Sequence, residues 1–304
     1  MGGDAVAVAA HAKINLDLRI LGVRDDGYHE LATVFQTIAL HDTVTVLRAE
    51  GPMRLSCEAA GVPADERNLA WRAAQAAWTA AGRVGVPAGV HLRLEKGIPV
   101  QAGLGGGSAD AAATLVAINA ALGLGLSRAA LSGLAAGLGA DVAFFLVGGT
   151  AEGRGRGEAL RALPDVPPLS ALVAVPGFGI STAEAYRWYD EQGRPGSSPG
   201  VWPRATSGWR DAFAACRNDL EPPVVTRHPE VGALVSALRP LSCLAAMSGS
   251  GSAVFALFDR REGLRAATAV ASAAGWRVIE TETVGRAAYE RALRAGAGAA
   301  GRER

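Results

Sequence analysis

Cysteine is sparse in this chain, with three in 304 residues, and Cys57, Cys216 and Cys243 are widely separated with no paired spacing for zinc. Their odd number argues against a disulfide framework, and with no secretory leader read ahead of them the expected setting is a reducing cytoplasm. Lysine is scarcer: of the 30 basic side chains only Lys13 and Lys96 are lysines. Where arginine is used almost everywhere else, these two positions stand out as places suited to a compact ammonium rather than a planar guanidinium. There is no charge excess either. A net charge of +1 excludes the strongly basic balance of a dedicated nucleic-acid or anionic-membrane binder. Apolar runs are broken by Arg, Gly or Pro well short of the ~20 residues that a membrane span requires. No Gly-Lys pair occurs, so there is no Walker A loop, and the zincin helix is missing too. The five histidines are scattered. These absences leave a soluble protein acting on a small molecule, with no nucleic acid, membrane or obligate protein partner expected.

What is abundant is glycine, 39 residues of it, in a chain that is 49% hydrophobic and long enough for two domains. Gln101 to Asp110 reads Gln-Ala-Gly-Leu-Gly-Gly-Gly-Ser-Ala-Asp and opens into the apolar, helix-forming run Ala111 to Leu122. Gly105, Gly106 and Gly107 leave backbone N–H groups free to turn onto an anion, and the helix adds the partial positive charge of its N-terminus. Phosphate is the expected occupant. The spacing departs from a Rossmann fingerprint, because Ser108 stands at the third glycine position and Ala121 to Arg128 carries no acidic ribose anchor. The looser Gly153-Arg154-Gly155-Arg156-Gly157 reads as a turn.

Periodicity places the other elements. Lys13 to Ile20 alternates strictly, with Lys13, Asn15, Asp17 and Arg19 on one face, and predicts a half-buried strand on which Lys13 alone would read as solvated. A turn over Asp25 to Leu31 with Gly27 at a positive φ displays Tyr28 and His29, and strands follow at Thr33 to Ile38, Thr43 to Leu47 and Val90 to Leu94. Helices are expected over Asn68 to Ala81 and Arg128 to Leu138. Beyond a Gly/Arg-rich stretch at Gly148 to Asp165, with a strand at Thr150 to Arg154, the pattern restarts. It gives a strand at Ala171 to Val175, a capping box Ser181-Thr182-Ala183-Glu184 opening a helix through Tyr189, and a helix at Val231 to Leu238. A polar turn Ser248 to Ser252 and a strand–helix–strand tail over Ala253–Phe258, Arg261–Ala274 and Arg277–Thr281 complete it. Glu191 to Gly200 reads as a mobile loop and Ala295 to Arg304 as frayed.

A phosphate loop without a Walker lysine still needs charge neutralisation and a group to take the acceptor hydroxyl's proton. Lys13 and Asp141 are the candidates. Asp141 has a second reading, as the cap of a helix starting at Val142. Phosphoryl transfer calls for an aspartate near the acceptor oxygen, a cation beside it and backbone donors around the phosphates.

These residues resemble the GHMP kinase superfamily. Ala12-Lys13-Ile14-Asn15-Leu16 with Asp26-Gly27-Tyr28-His29-Glu30-Leu31, Ile98-Pro99 with Gly103 to Ala112, Gly139-Ala140-Asp141 with Phe144-Phe145, and Met247 to Ser252 match in order over about Ala12 to Gly285. The glycine loop and the late Gly-x-Gly turn are shared across the superfamily, whereas the first two motifs together mark the branch acting on 4-diphosphocytidyl-2-C-methyl-D-erythritol in the non-mevalonate isoprenoid route. The resemblance implies a two-domain α+β kinase, ribosomal-protein-like in residues 1–158, which bind ATP, and ferredoxin-like in 159–304, which close the substrate cleft. It implies Asp141 as base with Lys13 its partner. Gly103, Leu104, Gly105, Gly106, Gly107 and Ser108 would lie on the ATP phosphates, and Lys96 and Asn68 at the adenine. Asn15, Tyr28, His29, Tyr186, Gly249 and Ser250 would meet the substrate. Mg2+ is expected with ATP, its protein ligands left open. Ala109 and Ala143 depart from the superfamily's frequent serine and proline. A kinase of the same superfamily for homoserine or mevalonate is the alternative.

Overall fold

The computed structural model describes residues 5–193, 196–200, 202 and 208–298. Its frame is a long antiparallel hairpin of β1 (Ala5–Val23) and β2 (His29–Pro52), closed by the expected turn with Gly27 at φ 80°. The two strands expected at Thr33–Ile38 and Thr43–Leu47 are one continuous β2. It is long enough to pair with β1 along one edge and with β4 (Ala88–Glu95) and β5 (Thr150–Gly155) in turn along the other. Strands β3 (Arg54–Cys57) and β6 (Ala159–Ala162) complete a six-stranded sheet.

Three helices lie with this sheet: α1 (Leu69–Ala80), α2 (Gly106–Ala121) and α3 (Arg128–Leu138). Helix α2 is buried on nearly every side, consistent with a helix built largely of alanine and apolar residues around its whole circumference. It begins five residues before the predicted Ala111, because Gly106 to Asp110 already adopt its first turns. The short α4 (Phe144–Val147) follows.

The second sheet has the order β10-β7-β9-β8, all antiparallel, from β7 (Ser170–Val175), β8 (Leu244–Met247), β9 (Val254–Phe258) and β10 (Arg277–Glu282). This is the ferredoxin-like arrangement. Its helices are α5 (Thr182–Glu191), α6 (Trp209–Ala215), α7 (Glu221–Arg227), α8 (Pro229–Leu238) and α9 (Arg261–Ala273). The capping box at Ser181 is formed, with both reciprocal bonds to Glu184 present. The loop expected from Glu191 to Gly200 lies partly outside the described residues.

The layers do not divide cleanly between 158 and 159. Strand β6 pairs with β5 across that point, and α10 (Arg286–Gly298) returns to pack on β1 and α2. Tyr289 anchors it, fully buried and donating its hydroxyl to the Phe145 carbonyl at 2.5 Å. The end expected to fray is thus helical through Gly298; residues 299–304 lie outside the described residues. In the other direction Leu18, Ile20 and Leu31 of the first hairpin are buried in the second domain's core. The hairpin therefore serves both domains, and the space between them is walled by it.

Candidate active site

Glycine is required in the phosphate loop at two places. Gly103 and Gly105 have φ of 75° and 74°, and a Cβ on Gly103 would stand 2.0 Å from the Ser248 carbonyl oxygen. A Cβ on Gly105 would meet the Phe145 ring at 2.8 Å and the Lys13 stem at 3.1 Å. Gly106 and Gly107 are ordinary helical residues, so the left-handed backbone lies one step earlier than a Gly105–Gly107 triplet suggests. In exchange, the N–H groups of the first turn of α2 have no carbonyl four residues back to bond, and Gly106, Gly107 and Ser108 line the cleft.

Lys13, expected on a solvated face, is buried at 4% exposure, and so are Asn15 and Asp17 at 3% and 5%. The alternation of β1 is real, but its polar face looks onto the cleft and the second domain rather than onto water. The Lys13 ammonium donates to Asn15 Oδ1 at 2.5 Å and lies 3.5 Å from Asp141 Oδ2. Asn15 in turn donates to the Thr33 hydroxyl at 2.8 Å, which fixes its amide orientation. Asp141 does not cap the following helix: α4 starts at Phe144, behind Ala143, with no side-chain cap. The Asp141 side chain stays about one third exposed at the cleft wall, paired with an ammonium that has almost no water.

The second lysine has a different fate. Lys96 lies between two buried carboxylates, Asp42 and Asp110, the latter at 2.6 Å. Asp42 Oδ1 also accepts the backbone N–H of Gly97 and of Ile98, both at 2.7 Å, so the cluster pins the segment entering the phosphate loop to β2 and α2. Burial alone would depress the Lys96 ammonium, but the charges of Asp110 and Asp42 outweigh it and hold it above its ordinary value. Burial pushes the Asp110 carboxyl up to about 7 against the pull of Lys96. Asn68 borders the same cleft as the N-cap of α1, accepting from Ala70 N–H and donating to the Pro63 carbonyl at 2.8 Å. Both residues expected at the adenine are thus at the cleft, with polar groups engaged in building its wall.

At the far end of the cleft His29 stacks on Tyr186 with ring centroids 4.8 Å apart, and its Nε2 is 2.8 Å from Asp190 Oδ1. Tyr28 is 57% exposed, with the Arg156 guanidinium 5.2 Å over its ring. Burial, with a smaller contribution from the charge of Asp141, raises the Tyr186 phenol above its ordinary value. Gly249 and Ser250 close the cleft from the second domain, with the Ser250 hydroxyl 3.2 Å from that of Thr182 at the start of α5.

Every residue that the sequence places at the site lines one cleft of about 1260 Å³. Three that the sequence reading passed over also do. Arg156 was taken as part of a turn, and its position over Tyr28 follows from the β5–β6 connection, which the spacing of glycines alone does not show. Asp110 stands in the sequence only as the end of the glycine-rich stretch; the signal for it is the lone Lys96 upstream. Gln101 is the non-glycine residue with positive φ, 56°, among the described residues.

Comparison with known proteins agrees with this geometry. The model for the N-terminal domain of GHMP kinases matches residues 68–149, and that for the C-terminal domain matches 209–275. The chain is 44% identical to 4-diphosphocytidyl-2-C-methyl-D-erythritol kinase of Moorella thermoacetica, over 83% of this chain and 90% of that one. It is 41% identical to the kinase of the same name from Desulfitobacterium hafniense, over 93% and 97%. A crystal structure of 4-(cytidine 5'-diphospho)-2C-methyl-D-erythritol kinase superimposes with TM-score 0.74 at 36% identity, covering 92% of this chain and 99% of that one. Homoserine kinase from Cytophaga hutchinsonii has nearly the same shape, TM-score 0.73 over 93% and 96%, but at 19% identity it shares the fold alone. With relatives this similar along almost its whole length, the chain belongs to the 4-diphosphocytidyl-2-C-methyl-D-erythritol kinases of the GHMP kinase family.

Proposed function

We propose that this chain transfers the γ-phosphoryl group of ATP to the 2-hydroxyl of 4-diphosphocytidyl-2-C-methyl-D-erythritol, a step in the non-mevalonate route to isoprenoid precursors. The observation that carries the reading is that one cleft holds the glycine loop, the Lys13–Asp141 pair and the Tyr28, His29 and Tyr186 aromatic end together. The loop and pair serve any alcohol kinase. The aromatic end has a use only when the acceptor carries a base.

In this reading Asp141 accepts the proton of the attacking 2-hydroxyl as its oxygen bonds to the γ-phosphorus and the bond to the ADP oxygen breaks. Lys13, 3.5 Å from Asp141, offsets the charge that builds on the phosphoryl oxygens. Backbone N–H groups at the start of α2 hold the phosphates, and Tyr28, Tyr186 and His29 hold the cytosine, the last by its edge. Arg156, above Tyr28, is placed to meet the substrate's diphosphate. A divalent cation is expected with ATP, yet among the described residues no three His, Cys, Asp or Glu converge to hold one. Asp42 and Asp110 beside the loop are already tied to Lys96. We infer that Mg2+ enters on the nucleotide's own phosphates, neutralising their charge. Among the described residues no helix is long and apolar enough to cross a membrane.

An ADP-release assay with the cytidylyl alcohol, homoserine and mevalonate side by side tests the reading. Turnover confined to the cytidylyl substrate supports it, and preference for either other alcohol replaces it.

A further inference from the structure

We infer that Asn218, which lies outside the cleft's chemistry, is a positioning residue that holds the second domain's glycine turn against both the phosphate loop and Lys13. This rests on the chain being an ATP-dependent alcohol kinase, but not on which alcohol it takes. Asn218 is 5% exposed and sits between α6 and α7. Its amide nitrogen donates to the carbonyl of Met247 at 2.9 Å and of Gly249 at 2.7 Å, and its Oδ1 accepts from Leu220 N–H at 2.9 Å. Both amide hydrogens are therefore spent on the two carbonyls that flank Ser248.

The backbone around Asn218 is attached in the other direction to the first domain. Leu18 N–H donates to the Arg217 carbonyl at 2.8 Å and Asp219 N–H to the Leu18 carbonyl at 2.9 Å, a parallel bridge onto β1 three residues beyond Asn15. The segment bridged to the strand of Lys13 and Asn15 thus reaches the turn through the Asn218 amide and through Glu221, whose carboxylate accepts the Met247 N–H at 2.9 Å. What the Asn218 side chain holds is in direct contact with the chemistry. The Ser248 hydroxyl donates to the Gly103 carbonyl at 3.0 Å, and Ala253 N–H to that of Ala102 at 3.2 Å. A Cβ on Gly249 would stand 3.1 Å from Lys13 Nζ and 3.2 Å from Asn15 Oδ1. Without its two donors the Met247 and Gly249 carbonyls lose their partner and the turn is held less closely against Lys13 and Gly103; a shift on the order of 1 Å near reacting groups lowers rates by about a hundredfold.

Asn218→Asp is the decisive substitution, since it keeps the shape and the Leu220 bond but replaces both donors with an acceptor facing two carbonyls. Assayed with whichever alcohol the parent phosphorylates fastest, the variant should lose at least tenfold in kcat with a smaller change in KM for that alcohol, because of the groups expected to meet the acceptor only Gly249 and Ser250 belong to the turn. Asn218→Ser, which retains one donor, should fall between. The parent's choice of alcohol tests the proposed function, and the ratio of variant to parent tests the positioning role. A kcat within twofold of the parent in folded Asn218→Asp overturns the inference. So does failure of both variants to fold, which would make Asn218 a structural clamp only.

Discussion

The Lys13 ammonium lies 3.5 Å from Asp141 Oδ2 while donating to Asn15 Oδ1 at 2.5 Å, so a buried cation from the first strand is aimed at a carboxylate that still reaches solvent. Asp141→Asn removes the proton acceptor and leaves the loop alone, and should lower kcat by about a hundredfold or more with ATP affinity nearly unchanged. Lys13→Ala should impair the same step. If the two act as a unit, the double variant will lose far less than the product of the single losses, which steady-state kinetics on the set of four proteins measures directly.

In the phosphate loop the backbone separates glycines that a motif treats alike. Gly107→Ala should be tolerated, because a Cβ there meets nothing nearer than Leu69 at 3.9 Å. Gly103→Ala should weaken ATP binding severely, with φ at 75° and the Ser248 carbonyl 2.0 Å away. Calorimetric titration of each folded variant with ATP tests the contrast, and equal affinities would remove the loop from the phosphate site.

Lys96→Met would strand Asp42 and Asp110 in the interior. Breaking a buried ion cluster at its cation costs about 3–5 kcal/mol, so urea unfolding at pH 8 should show a loss of that order.

Asp110 should leave a mark on the pH dependence of stability. Its carboxyl is raised to about 7 in the fold, so the native state holds a proton that the unfolded chain releases near the ordinary carboxylate pKa. That contribution is fully present below about pH 4 and is lost as pH rises to 7, with a slope of at most about 1.4 kcal/mol per pH unit. Asp110→Asn should flatten this part of the curve. Parallel curves for parent and variant between pH 4 and 7 would show that Asp110 is ionised throughout.

For the aromatic end, His29→Ala and Tyr186→Ala should each raise KM for the cytidylyl alcohol about tenfold or more with little change in KM for ATP, since base stacking contributes about 1–3 kcal/mol. Free methylerythritol should be a very poor acceptor. Comparable kcat/KM for the bare polyol would mean that no base is read.

The local elements were legible because their signals are local. Helix α1, the Ser181 capping box and the strand at Lys13 to Ile20 each follow from residues a few positions apart. Helix α10 was missed because its reason for being helical is remote: Tyr289 needs the cavity beside Gly148, where a Cβ would come within 2.1 Å of its ring. The same limit applies to Asn218, whose partners at 18, 247 and 249 are brought together by the fold and share no sequence pattern with it.

Composition, motif chemistry and the family resemblance singled out the glycine loop, both lysines, Asp141 and the Tyr28-His29 turn as candidates, because each signal lies in residue types and short spacings. The sequence already paired Lys13 with Asp141; what only three dimensions showed is the setting of each lysine. Lys13 and Lys96 are equally rare and equally close to a motif, but the bulged β1–β2 hairpin turns Lys13 toward Asp141, while the close packing of β2 and α2 encloses Lys96 between Asp42 and Asp110. Charge, burial and reach at these lysines depend on neighbours well beyond any local window, Asp42 at 54 positions from Lys96 and Asp141 on another element from Lys13, and only the packed structure brings those neighbours into contact.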